Sequence, residues 1–168
     1  MTDPGLGLLV AGGLFEGAAW FAILTFVPLF AVRALEATAF AAGLAISMRG
    51  VARIVVAPFA GQVLTVISRK LATIGSLVVA GVGTVAVAAS PAVPWLWLFV
   101  GVFGLGDALF TPIHRDAPTD LASSERRAGV VNGVIVLRAV GATVSPVAFG
   151  LLRTTTGFEA VFLVAGAM

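Results

Sequence analysis

The fold of this chain follows from residues 39–70, which read AFAAGLAISMRGVARIVVAPFAGQVLTVISRK. This stretch is long and apolar enough to cross a bilayer, because a hydrocarbon core of ~30 Å takes about 20 helical residues at ~1.5 Å each. It nevertheless carries Arg49 and Arg53 near its middle and ends in Arg69 and Lys70. A guanidinium that faces lipid at mid-depth costs about 2.5–3.5 kcal/mol. Both mid-span arginines are therefore predicted to face a protein interior or a wet cavity, which requires neighbouring helices and counter-charges.

The composition of the whole chain indicates an integral membrane protein. Of its 168 residues, 60% are hydrophobic and only 11% are charged, whereas soluble domains carry roughly 25% charged residues. The mean hydropathy is +1.11. The basic residues are too few and too dispersed to bind nucleic acid, and the absence of Cys excludes disulfides, thiol chemistry and cysteine-ligated metals. No cofactor and no metal is predicted.

Six apolar segments are predicted to form helices, and together they make one transmembrane domain. They cover residues 5–32, 39–67, 71–89, 93–113, 129–152 and 158–168. The first segment lacks the basic start of a signal peptide and reads as a membrane span. A polar connection, residues 115–128, precedes the fifth segment. The sixth reaches only about 16 Å as a helix, half a bilayer, and is therefore expected to be a shortened span.

The basic residues of the short loops predict the orientation of the chain in the cell membrane. The second-to-third and fourth-to-fifth connections hold five of them, whereas the opposite side holds Arg33 and Arg153. The five are Arg69, Lys70, Arg115, Arg126 and Arg127. Because Lys and Arg concentrate in cytoplasmic loops, the N-terminus is predicted to be cytoplasmic.

A weak internal repeat relates the first three spans to the last three. GLFEGA around Glu16 matches GLGDAL around Asp107, and MRGVA around Arg49 matches LRAVG around Arg138, both at an offset of about 90 residues. VAG at 79–81 likewise matches VAG at 164–166. Three spans separate the copies, so the copies run in opposite directions through the membrane. The predicted fold is therefore an all-α six-helix bundle of two inverted three-helix repeats, an architecture of secondary transporters.

The pattern resembles the C-terminal six-helix half of the major facilitator superfamily. GQVLTVISRK at 61–70 is similar to the second copy of the family's cytoplasmic loop motif, in which Gly61, Arg69 and Lys70 fit and Thr65 replaces the usual Asp. GVFGLG at 101–106 and GATVSPVAFG at 141–150 are similar to the glycine-rich fourth and fifth spans of such a half. The resemblance implies that the chain starts at the seventh span of a twelve-helix carrier and is truncated in the last one.

The ionisable side chains at depth are the candidates for solute binding or coupling: Glu16, Arg49, Arg53, Asp107 and Arg138. They could form buried ion pairs that hold helices together, or a site for a solute. Three positive charges face two negative ones, and the surplus could hold a carboxylate or phosphate bidentately. A functional role is favoured for Arg53 and Arg138 and a structural pair for Arg49. The two acids are interpreted as ionised counter-ions rather than proton carriers.

Glycines along the spans are predicted to let helices approach closely, as faces with a small residue every fourth position do. They are Gly12, Gly13, Gly17, Gly43, Gly50, Gly101, Gly104, Gly106 and Gly141.

Three functions remain as hypotheses. The leading one is a secondary active transporter of a small, anionic solute, which works by alternating access with a second six-helix half or as a homodimer in the lipid bilayer. The alternative is a non-transporting fragment of a split or truncated carrier gene. An intramembrane enzyme needs a nucleophile with its base or a metal cluster. The chain has no Gly-x-Ser-x-Gly, no His-Glu-x-x-His and a single His, His114, which is interpreted as solvated; no enzymatic activity is predicted.

Overall fold

The computed structural model describes residues 4–121 and 127–168, with side chains described for residues 11–63, 65–113 and 128–168. In this part of the chain the regular secondary structure is all helix, without a strand. The helices are α1 (Pro4–Ala34), α2 (Ala39–Val66), α3 (Arg69–Ala88), α4 (Val93–Leu121), α5 (Arg127–Thr156) and α6 (Phe158–Ala167). Five of them are long and apolar enough to span a membrane, and α6 is shorter. The prediction of an all-α polytopic membrane fold is confirmed.

The connections between the first three helices are short, and each contains a polar residue that caps the next helix. The Thr38 hydroxyl accepts a hydrogen bond from the backbone N–H of Ala41 at 3.3 Å, and the Ser68 hydroxyl accepts one from Leu71 at 3.4 Å. Each cap satisfies an N–H that has no partner within its helix. Because Ser68 caps α3, Arg69 and Lys70 lie in the first turn of that helix and not in a loop before it.

The fourth helix is longer than its apolar segment. Its membrane-compatible part ends at Ile113, as predicted, but the helix continues to Leu121 through residues that were predicted to be a polar connection. Hydropathy falls where a span leaves the hydrocarbon, whereas the backbone hydrogen bonds of a helix can continue into water. The polar composition therefore marked the edge of the membrane and not the end of the helix.

The packing of the helices follows the internal repeat. The most extensive contacts join α1 to α5, α4 to α2 and α4 to α3, followed by α3 to α6. The first helix of each triplet thus packs on the second helix of the other triplet. At the α3–α6 crossing, a Cβ on Gly81 would lie 2.7 Å from the carbonyl oxygen of Gly166, and a Cβ on Gly166 would lie 2.9 Å from that of Gly81. Equivalent residues contact each other where a two-fold axis passes between the copies.

The apolar core surrounds α1. Phe26, Val27 and Phe30 of α1 are buried together with residues of α4 and α6. Phe30 makes edge-to-face contacts with Phe158 and Phe162, each with ring centroids 5.5 Å apart. In contrast, α2 presents large exposed apolar side chains along much of its length, as a helix does whose outer face meets lipid.

The glycines divide into two groups. Gly13, Gly17, Gly104, Gly106 and Gly141 lie against the backbone of a neighbouring helix. The other four make no close approach to the described residues, because a Cβ added to them would meet no described atom within 4 Å: Gly12, Gly43, Gly50 and Gly101. A glycine permits a close approach on any side of its helix, and the rotation of that helix decides which glycines are used.

Candidate functional site

The first ion pair of the site joins α1 to α5. Gly17 lies against the backbone of Arg138, so these two helices approach closely at this level. The Ser145 hydroxyl donates a 2.7 Å hydrogen bond to the carbonyl oxygen of Ala18, which fixes the register of the two helices. As a result, Arg138 Nη2 lies 3.4 Å from Glu16 Oε1. The side chains of Arg138 and Glu16 are 36% and 19% exposed, so this pair is only partly sheltered.

The second ion pair joins α2 to α4 and is more deeply buried. A Cβ added to Gly104 would lie 2.8 Å from the Cα of Arg49, so the two helices approach closely here. Arg49 donates two hydrogen bonds to Asp107 Oδ2, from Nη2 at 2.8 Å and from Nε at 3.1 Å. Its side chain is 13% exposed and that of Asp107 is 10% exposed. Charge-assisted hydrogen bonds of this length are about twice as strong as neutral ones, and the surroundings exclude most competing water.

Arg53 lies one helical turn after Arg49 and shares its acid. Its Nη1 is 4.0 Å from Asp107 Oδ2, and its side chain is 41% exposed. Arg49 already makes both short hydrogen bonds to that oxygen. Arg53 is therefore near a counter-charge without a close hydrogen bond to it.

Trp20 links the two ion pairs. Its ring centroid lies 4.6 Å from the guanidinium carbon of Arg49 and 5.8 Å from that of Arg138. A cation over an indole face is stabilised by about 0.5–2 kcal/mol, depending on exposure. Trp20 follows Glu16 by one turn and so faces the same side of α1. Its indole Nε1 is buried and has no hydrogen-bond partner among the described residues.

The structure brings all five predicted depth residues together with Trp20, and these six form what we call the charged cluster. Its members are Glu16, Trp20, Arg49, Arg53, Asp107 and Arg138. Trp20 was not among the residues predicted for this site. The signal that could have identified Trp20 is its position four residues after the acid Glu16, about one helical turn along the same face.

The other predicted residues lie away from the charged cluster. A Cβ added to Gly61 would meet no described atom within 4 Å, and Arg69 and Lys70 are exposed at the start of α3. The end of α2 at Val66 is ~20 Å along the helix from Arg53. The side chain of His114 falls outside the described residues. The described residues hold no group of His, Asp or Glu that could bind a metal ion.

Two grooves outside the charged cluster also follow the repeat. The larger, of about 400 Å³, lies between α1, α5 and α6 and is lined almost wholly by apolar residues. The smaller, of about 180 Å³, lies between α2, α3 and α4. Ala18, Leu152 and Val164 of the first correspond through the repeat to Leu109, Val63 and Val79 of the second. Neither groove is lined by a member of the charged cluster.

A family model describes almost the whole chain. Residues 9–168 match the model of the Major Facilitator Superfamily. No sequence among the curated proteins matches the chain. The family match agrees with five helices of membrane-spanning length and with the absence of strands from the described residues. This chain is thus a multi-pass membrane protein that belongs to the Major Facilitator Superfamily of transporters.

Proposed function

We propose that the chain forms the C-terminal six-helix half of a secondary active transporter, which moves a small solute by alternating access and catalyses no chemical reaction. The charged cluster is the observation that carries this proposal. Four helices, α1, α2, α4 and α5, contribute its members, and all of them lie within candidate membrane spans. Ionisable side chains at such depth are costly and mark solute or ion pathways.

The exposure of two arginines supports a partner on the open side of the cluster. Arg53 and Arg138 are each more than one-third exposed within this chain. Lipid is a poor environment for either guanidinium, so a wet cavity and a second protein surface suit them better. The partner is a second six-helix half or another copy of this chain, and the surplus positive charge favours an anionic solute between the two. The basic residues between the second and third spans and between the fourth and fifth spans support a location in the cell membrane with the N-terminus in the cytoplasm.

Flux into proteoliposomes tests the proposal. The chain is reconstituted alone and with a co-expressed six-span partner, and it is offered radiolabelled small solutes of three kinds, anionic, neutral and cationic. Uptake above that of empty vesicles is expected for at least one kind. It should fall in Arg53→Ala and Arg138→Ala and persist in Arg33→Ala, which removes an exposed arginine near the end of α1.

Two results would count against the proposal. Uptake that is unchanged in both cluster variants would remove these arginines from the transport pathway. The absence of uptake for every solute, both alone and with a co-expressed six-span partner, would favour a non-transporting fragment.

A further inference from the structure

The two ion pairs of the charged cluster occupy equivalent places in the repeat. Arg49 corresponds to Arg138, and Asp107 corresponds to Glu16. Each pair joins the second helix of one triplet to the first helix of the other. The same kind of ion pair thus occurs at both equivalent helix contacts. A feature that both contacts have is explained by the packing of the helices, which both contacts also share. Both ion pairs therefore share a structural role, which is to hold α2 on α4 and α5 on α1.

Arg53 has no charged equivalent. The position that corresponds to it on α5 is Ala142. Since α5 packs on α1 with an alanine at that position, the same packing of α2 on α4 does not require an arginine. Arg53 is thus a charge that the helix packing leaves unexplained.

The depth of Arg53 makes this charge costly. It lies two residues, or ~3 Å, beyond the midpoint of the candidate span Ala39–Val63. The nearer membrane interface is more than ~10 Å away, which is farther than an arginine side chain extends. Its guanidinium is 4.0 Å from Asp107 Oδ2, an oxygen that already accepts two shorter hydrogen bonds from Arg49. In the charged cluster, three guanidiniums face two carboxylates.

We propose that Arg53 is the anion-binding residue of the solute site and that the solute carries a single carboxylate-type negative charge. This inference rests on the proposed function, of which it names the substrate class. One monoanion brings the formal charge of the cluster to zero, whereas a cation would increase the excess of positive charge. The planar guanidinium offers two parallel N–H donors to a carboxylate, and 41% of the side chain is accessible to receive one.

Thermal unfolding of the purified full chain in detergent tests the inference. The probes are acetate and benzoate, with benzamide as the neutral analogue of benzoate, all at constant ionic strength. Both carboxylates are expected to raise the unfolding midpoint, and benzamide is not. In Arg53→Gln the apparent dissociation constant for benzoate should rise about tenfold to hundredfold, the range that loss of a charged hydrogen bond produces. Arg53→Lys, which keeps the charge without the paired donors, should lie between the parent and Arg53→Gln.

Two controls keep the test decisive. Arg33→Gln should retain the full response to benzoate. Arg53→Gln should unfold near the parent midpoint without benzoate, because Arg53 makes no short hydrogen bond in the fold. Equal responses to benzoate in the parent and in Arg53→Gln would overturn the inference, as would the lack of any response to both carboxylates.

The outcomes also separate this inference from the proposed function. A response to carboxylates that depends on Arg53, without flux into vesicles either for the chain alone or with a co-expressed six-span partner, would support the anion site and reject transport. Flux of neutral or cationic solutes, without a response to carboxylates, would leave transport and reject the anion site. In the latter case a carboxylate of a partner half would be the remaining counter-ion for Arg53.

Discussion

The two equivalent ion pairs should differ strongly in what they contribute to stability. Asp107→Asn removes the carboxylate that accepts hydrogen bonds of 2.8 Å and 3.1 Å from Arg49, in surroundings where both side chains are nearly buried. Loss of one member of a buried pair leaves the other charge uncompensated and costs about 3–5 kcal/mol. Here it also leaves Arg49 and Arg53 close to each other without a carboxylate between them.

The matched substitution in the other pair is Glu16→Gln. The Arg138–Glu16 distance is 3.4 Å, and Arg138 is 36% exposed, so water screens this pair more effectively. We expect a cost of about 1 kcal/mol, close to the upper range of solvent-accessible pairs. Reversible unfolding in mixed micelles, followed by circular dichroism against the mole fraction of denaturing detergent, gives both free energies.

A double substitution identifies the cause of the larger loss. Arg49→Met combined with Asp107→Asn also removes the guanidinium that Asp107→Asn alone leaves without a carboxylate. The loss of unfolding free energy in the double variant should therefore be smaller than the sum of the losses in the two single variants. The reasoning would be refuted if Asp107→Asn and Glu16→Gln cost the same within error. Strict additivity in the double variant would refute it as well.

Three further substitutions test the contacts that position the charged cluster, with the same unfolding measurement. Gly17→Ala should cost about 1–3 kcal/mol, because the new methyl group meets the backbone of Arg138, whereas Gly12→Ala should be close to neutral. Trp20→Ala should cost more than Trp20→Phe, because phenylalanine keeps a ring face for the two guanidiniums. Ser145→Ala should cost about 1 kcal/mol through loss of the bond to α1, and Thr143→Ala, which loses only an exposed bond within α5, should cost less.

Each of these expectations has a clear contrary result. Equal effects of Gly17→Ala and Gly12→Ala would mean that α1 and α5 do not approach closely at Gly17. Equal effects of Trp20→Ala and Trp20→Phe would mean that the ring face does not stabilise the arginines. A Thr143→Ala variant as unstable as Ser145→Ala would mean that the bond to Ala18 does not hold the two helices in register.

Much of the fold was predictable because hydropathy is a local property. A segment of about 20 apolar residues is long enough to span a bilayer whatever its neighbours are, and the start of α2 follows from the capping residue Thr38. The extension of α4 to Leu121 was not predictable in this way, since hydropathy reports the membrane and not the hydrogen bonds of a helix. The start of α3 was predicted two residues late because the role of Ser68 as a cap was not recognised.

The charged cluster was predictable as a set of residues and not as a set of contacts. The cost of burying charge singled out Arg49, Arg53 and Arg138 and indicated that acids must lie near them. An interpretation of Arg49 as a member of a structural pair agrees with its two hydrogen bonds to Asp107. The spacing of residues along one helix carries no information on the helix that faces it, so the place of Trp20 between two guanidiniums could not be derived.

The order of residues alone was enough to predict that this chain crosses a membrane several times, that five of its charged residues lie deep in the spans, and that its first three helices are related to its last three. These properties follow from the local hydropathy and from residue identities that recur at one offset. The packed helices were needed to show that Arg49 pairs with Asp107 and Arg138 with Glu16, and that Arg53 is left without a short hydrogen bond. These pairings depend on the rotation of each helix and on how closely two helices approach, which Gly17, Gly104 and their neighbours set through contacts far apart in the chain.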